Sequence, residues 1–213
     1  MRGWIYDRTL RPLTAKWYKL VLERLEPGSH LLDVGIGTGG ALARNADVVR
    51  ARNLRITGVD IDADYLRRCR RLLRRVGLED RVEVLHRSIL EHGGGPYDAA
   101  YFSASFMLMP EPVAVLRHVM RLLQPEARIY FTQTFSDKRS RFLEWAKPRL
   151  HKITTMHFGR VTYEADFRQA LAEAGVELLE LTTLKQIGKM SHRLAVARLG
   201  AGPGVREPQR TLA

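Results

Sequence analysis

The run Leu31-Leu32-Asp33-Val34-Gly35-Ile36-Gly37-Thr38-Gly39-Gly40 constrains this chain more than any other stretch. Its apolar start, His30–Val34, reads as a short buried strand. The glycines that follow let the backbone turn sharply and let a ligand approach it closely. Ala41–Arg52 then reads as a helix, which sets a helix N-terminus beneath that ligand. Strand, glycine loop and helix in this order belong to open α/β sheets, which bind ligands at the carboxyl ends of their strands.

The rest of the chain keeps the same rhythm. Further strands are expected at Arg55–Val59 (closed by Asp60), Arg81–Leu85, Tyr97–Ser103, Ala127–Phe135, Val176–Leu184 and His192–Leu199. Helical patterns separate most of them, at Asp64–Val76, Pro112–Leu123 and Glu164–Ala174. Alternating strands and helices predict βαβ units and an α/β fold with a doubly wound, mostly parallel sheet. An amphipathic helix closing over Leu20–Leu25 precedes a turn at Pro27-Gly28. Two segments stand outside the rhythm: 136–162, expected as a small cap insertion, and 200–213, whose lack of apolar period predicts a disordered tail. The expectation is one domain over 1–199, with 1–29 as an N-terminal helical lid.

The net charge is +12, from 35 Lys+Arg against 23 Asp+Glu, and it invites an anionic partner. The densest basic run, Arg67 to Arg75, is interleaved with Leu66, Cys69, Leu72 and Leu73 at helical spacing. That pattern is first of all a helix showing a solvated basic face. A single cysteine on the apolar stripe cannot form an internal disulfide and suits a reducing, cytoplasmic setting. The sequence has no apolar run of about 18 residues, and its N-terminal segment lacks the core of a secretory signal.

Asp60 ends the second strand about 20 residues beyond the glycines, where a carboxylate can take both hydroxyls of a ribose. A nucleoside-bearing cofactor is therefore the natural ligand. Gly35-x-Gly37-x-x-Gly40 also satisfies a dinucleotide pattern. Against that, Asp33 would repel a pyrophosphate but welcome an ammonium, and no tyrosine is followed four residues later by lysine. A P-loop is excluded because Ala41, not Lys-Ser/Thr, follows Gly40.

These residues resemble the class I S-adenosylmethionine-dependent methyltransferases. LLDVGIGTGG resembles the family's first motif and GVDIDADYL its second. GLEDRVEVLHRSI is similar to the third-strand segment, PYDAAYFSASFMLMPEPVAVLRHVMRLLQPEARIYFTQTF to strands four and five, and FRQALAEAGVELLELTTL to the closing helix and strand. The resemblance implies a seven-stranded, Rossmann-like sheet with the last strand antiparallel, and S-adenosyl-L-methionine as cofactor. It implies that Asp33, Gly35, Ile36, Gly37, Thr38 and Gly39 hold the methionine portion, that Asp60 holds the ribose, and that Ile61, Ser88 and Ile89 border the adenine. Ser103 would present its backbone near the sulfonium. Ser88 departs from the family's usual Asp after the third strand. Strand four ends in Ser103, neither the Asp of metal-dependent catechol-type enzymes nor the Asn-Pro-Pro-Tyr of amino-methylating DNA enzymes, so a metal-independent reaction is expected.

For the acceptor, Tyr6, Phe106 and Met107 are the candidate contacts, and His157 and Tyr163 the candidate bases. The remaining histidines show no metal-ligand spacing. The expected acceptor is a small molecule methylated at N, O or S, with the chain acting as a monomer or homodimer. One alternative is a lipid or quinone at an anionic membrane surface, motivated by the basic, tryptophan-bearing stretch Arg141–Lys152. An RNA methyltransferase, supported by charge alone and so disfavoured as a nucleic-acid reading, and a non-catalytic cofactor-binding subunit complete the set.

Overall fold

The computed structural model describes residues 3–136 and 162–200, with side chains from residue 13 onward. Of the cap expected at 136–162, residues 137–161, with His157 and the Arg141–Lys152 stretch, lie outside the described residues, as does 201–213.

The elements in chain order are helix α1 (Gly3–Leu22), strand β1 (His30–Val34), α2 (Gly40–Ala43), α3 (Ala46–Ala51), β2 (Arg55–Asp60), α4 (Ala63–Arg75) and β3 (Val82–His86). They continue with β4 (Tyr97–Ser103), α5 (Pro112–Arg121), β5 (Leu123–Ser136), α6 (Glu164–Ala174), β6 (Val176–Ile187) and β7 (Met190–Leu199). Single 3-10 turns follow β3 (Ile89–Glu91) and β4 (Phe106–Leu108). The seven strands form one sheet in the order β3-β2-β1-β4-β5-β7-β6. All neighbours are parallel except β7, which runs antiparallel to both β5 and β6. The order reverses between β1 and β4, and that switch opens a crevice at the carboxyl ends of these two strands.

Each face of the sheet carries its own core. On one, α5 and α6 cover a phenylalanine cluster in which Phe102 stacks on Phe131 with centroids 5.1 Å apart, and Phe106 and Phe167 meet Phe131 edge-on. On the other, α1 to α4 pack Val21, Leu22, Leu42, Val49, Leu66 and Leu73 over β1 and β2. The hydrophobic stripe of α4 is narrow. Leu66, Cys69 and Leu73 are buried, while all six arginines from Arg67 to Arg75 are exposed.

Three expectations are corrected. Ala41–Arg52 is two helices rather than one. Asn45 is buried, and its amide donates to Ala41 O (2.8 Å) and to Ala15 O on α1 (2.9 Å), competing with helical continuation at the break. Leu122 and Leu123 leave α5, and β5 begins at Leu123 opposite Tyr97. Finally, β6 and β7 extend to a two-residue hairpin turn, with Ile187 paired to Met190 and Gly188 at φ +57°.

The segment expected as a lid holds helix α1. It runs toward the start of β1, and its Tyr18 meets Asp33 near that strand's carboxyl end. Tyr6 lies about 18 Å from Tyr18 along the helix axis, toward its N-terminus. The Tyr6 side chain is outside the described residues.

Candidate active site

The glycine loop is stitched to its neighbours by backbone and side-chain bonds. Gly35 and Ile36 donate N–H bonds to Val59 O at 2.8 and 3.3 Å, joining the loop to β2. Gly37 donates to Asp60 Oδ2 at 2.8 Å, while Asp60 Oδ1 accepts the Asp62 amide at 2.9 Å. Asp62, rather than Asp60, caps α4, accepting from the amides of Asp64 and Tyr65. Asp60 is thereby spared the capping role and stands at the crevice, half-buried, with lone pairs to spare.

Two glycines are needed for different reasons. Gly35 sits at φ +83°, and a Cβ there would lie 2.6 Å from Ser105 Cβ across the switch point. Gly37 sits at φ +57° with nothing within 4 Å of its would-be Cβ. Packing requires the first, whereas the second borders open space. Opposite them, β4 ends at Ser103, paired with Thr132, and the chain turns through Ala104 at φ +57°. The Ala104 amide donates to Thr132 O (2.8 Å), and the Ser105 hydroxyl donates to Val34 O. A non-glycine residue held at positive φ costs of order 1 kcal/mol and is kept where the surroundings over-determine it.

Asp33 is fully buried beneath the loop. Its Oδ2 accepts from the Tyr18 hydroxyl, and its Oδ1 has no partner among the described residues. Burial pushes the Asp33 carboxyl up from 3.8 to about 7, against the Tyr18 hydrogen bond, which pulls it down. The Tyr18 hydroxyl is pushed up by its own burial and then by the Asp33 charge. Tyr18 meets the Tyr101 ring edge-on at 4.9 Å, and the Tyr101 hydroxyl is 2.8 Å from Thr132 Oγ1.

The adenine-side expectations divide. Ile61 projects from the end of β2 with 74% of its surface exposed, and its carbonyl lies 3.1 Å from His86 Nε2. Ser88 is half-buried, and its Oγ accepts the Leu90 amide, capping the 3-10 turn. The Ile89 side chain packs in the core. Tyr65 and Leu90 join Ile61 as exposed apolar groups along this carboxyl edge. Thr38 and Ile36 complete the loop, with Ile36 packed inward.

The acceptor-side expectations are less well met. Phe106 is fully enclosed by Phe102, Phe131 and Phe167, so it is a core residue and not a pocket wall. Met107 is half-buried against the same core. Tyr163 is buried just before α6, beside Thr162, where the chain returns to the end of β5: Ser136 donates its amide to Thr162 O at 2.9 Å. Sequence reasoning missed the Tyr18–Asp33 bond and the role of Ser105. Tyr18 shares the helical spacing of Val21, Leu22 and Leu25, which marks it as inward-facing; nothing in the local pattern marks Ser105. Also missed is His192, buried beside Trp17 with ring centroids 4.8 Å apart and its Nδ1 2.8 Å from Thr134 Oγ1.

Among the described residues no three His, Cys, Asp or Glu side chains converge as a metal site, and no helix is long and apolar enough to cross a membrane.

Comparison with known proteins completes the picture. A family model described as a methyltransferase domain matches residues 6–181. The methyltransferase GfsG of Streptomyces halstedii is 29% identical over 172 residues, covering 77% of this chain and 59% of that protein. The first curated relatives are matched over only 32% to 59% of their own length. Among solved structures, the [4+2]-cyclase SpnF superposes with a TM-score of 0.71 at 21% identity, over 92% of this chain and 83% of that one. Geranyl diphosphate C-methyltransferase from Streptomyces coelicolor A3(2), solved with Mg2+, geranyl diphosphate and S-adenosyl-L-homocysteine, superposes with a TM-score of 0.70 at 15% identity, over 90% of this chain and 80% of that one. These superpositions establish the fold, and the family match covers most of the chain: it belongs to the methyltransferase-domain family, on the class I S-adenosylmethionine-dependent methyltransferase fold.

Proposed function

We propose that this chain binds S-adenosyl-L-methionine at the β1/β4 switch point and transfers its methyl group to a small-molecule acceptor without a metal ion. One observation carries the reading. Two carboxylates of different character, buried Asp33 and half-buried Asp60, stand on either side of a glycine loop whose middle, at Gly37, faces open space. That spacing suits a ligand with an ammonium at one end and a ribose in the middle.

The residues fit the cofactor. Asp33 has a buried oxygen awaiting a donor, and Gly35, Ile36, Gly37, Thr38 and Gly39 form the cradle for the methionine portion. Asp60 takes the ribose hydroxyls. Ile61 supplies apolar surface to the adenine, with Ser88 and the Ile89 backbone along its edge. Ser103 offers backbone at the end of β4. When bound, the sulfonium supplies an already activated methyl group for in-line displacement. The protein's work is then alignment and exclusion of water. Helix α1, carrying Tyr6, is assigned to close the site from one side, and Met107 to border the acceptor. Tyr163 and His157 are the two groups assigned to receive the acceptor's proton. The small-molecule assignment is supported by the geranyl diphosphate C-methyltransferase of the same fold, and the buried, free Cys69 suits a cytoplasmic setting.

The test is methyl transfer from methyl-labelled S-adenosylmethionine to a panel of phenols, carboxylic acids, amines and thiols, with membrane lipids and RNA as separate arms. Labelled product with at least one class, undiminished by a chelator, supports the proposal. Tight cofactor binding with no transfer to any class, membrane lipids and RNA included, would leave a non-catalytic subunit instead.

A further inference from the structure

Asp33 is the one fully buried carboxylate among the described residues. The titratable groups that interact with it come from four elements: Tyr18 from α1, Tyr101 from β4, Cys69 from α4 and Asp60 from β2. Of these, only Tyr18 donates to it. Tyr101 spends its hydroxyl on Thr132, and burial keeps the Cys69 thiol neutral by pushing it up to about 12. Asp60 adds repulsion. The edge-on Tyr101 ring packs against Tyr18, so Asp33 has one oxygen fixed and the other, Oδ1, buried without a partner among the described residues. A buried acceptor in that state gains most from a donor that brings positive charge.

We propose that Tyr18 is a specificity-determining residue of the cofactor site: by holding Asp33 Oδ2 it reserves Oδ1 for an ammonium, so the site favours nucleosides that carry an amino-acid tail over those that do not. Helix α1 becomes part of the cofactor site through this one hydroxyl. The inference rests on the methyl-donor reading above and adds a residue that touches Asp33 and not the cofactor, a positioning residue.

The experiment is calorimetric titration of the whole chain and its Tyr18→Phe variant with S-adenosylhomocysteine and with 5′-methylthioadenosine, which keeps the nucleoside and thioether but lacks the amino-acid end. At pH 7 the unaltered chain should bind S-adenosylhomocysteine at least tenfold more tightly than methylthioadenosine. Tyr18→Phe should remove about tenfold of that preference and leave methylthioadenosine affinity unchanged. Because the Tyr18 bond pulls the Asp33 carboxyl down, its loss leaves Asp33 protonated to higher pH, and the preference should recover by pH 8.5. Equal weakening of both ligands means a purely structural role and overturns the inference, as does no change in either. If the unaltered chain binds neither ligand, the methyl-donor reading fails and takes this inference with it. Should Tyr18→Phe not fold, the unaltered chain is titrated with the des-amino analogue of S-adenosylhomocysteine. Tenfold weaker binding is expected, and equal binding overturns the inference.

Discussion

The Gly37 amide donates to Asp60 Oδ2 at 2.8 Å, so the glycine loop and the end of β2 form one piece. The carboxylate that is assigned to the ribose also sets the loop that is assigned to the methionine portion. Asp60→Ala should therefore cost more than a ribose contact. Affinity for S-adenosylhomocysteine is expected to fall at least 30-fold, with stability lowered by no more than about 1 kcal/mol, because Asp62 still caps α4. Calorimetry paired with thermal unfolding separates the two effects.

The two glycines argued above give opposite expectations. Gly37→Ala adds a methyl to open space at positive φ, so stability falls by only about 1 kcal/mol while cofactor affinity drops sharply. Gly35→Ala drives a methyl into Ser105, so unfolding is where it shows. Adding Ser105→Gly should restore part of the stability lost by Gly35→Ala and none of the affinity lost by Gly37→Ala. Melting temperatures and titrations on the four variants check this.

Asp33 ties pH to both folding and binding. Its carboxyl is raised by burial from 3.8 to about 7, so the folded chain holds a proton that the unfolded chain releases. Between those two values stability falls as pH rises, and above about 7 the whole penalty is present. Asp33→Asn removes the charge, so at pH 8 the variant is expected to be more stable than the parent by about 1–2 kcal/mol, with the advantage gone at pH 4. The same variant should lose most of its affinity for S-adenosylhomocysteine. Thermal unfolding across pH, without ligand, reads the first effect.

Phe106 and Met107 adjoin in sequence and part in role. Phe106→Ala opens a cavity among Phe102, Phe131 and Phe167 and should cost about 3–5 kcal/mol. Met107→Ala, half-buried at the edge of the same cluster, should cost about 1 kcal/mol, its main effect falling on the acceptor KM. Denaturant unfolding of both variants tests the difference.

The strand pattern was legible because each of its buried strands is an apolar run closed by glycine, aspartate or serine, as with His30–Val34 and Tyr97–Ser103. The crossing order was not: the antiparallel entry of β7 came from family resemblance, since periodicity carries no information on direction. The break between α2 and α3 was hidden because it depends on Asn45 finding Ala15 on a distant helix. In the site, Asp33, Asp60 and the glycines announced themselves through spacing. Phe106 misled, since an aromatic after strand four reads alike as pocket wall or core until the opposing Phe131 and Phe167 are placed. Tyr18 and Ser105 act through partners 15 and 71 residues away in sequence, which no local pattern records.

The central claim, that the β1/β4 crevice is built for a sulfonium nucleoside with an amino-acid tail, is tested most directly by titrating the purified chain with S-adenosylhomocysteine and with NADH. The account predicts micromolar binding of S-adenosylhomocysteine with one ligand per chain and no heat from NADH. Binding of NADH with S-adenosylhomocysteine silent would contradict it.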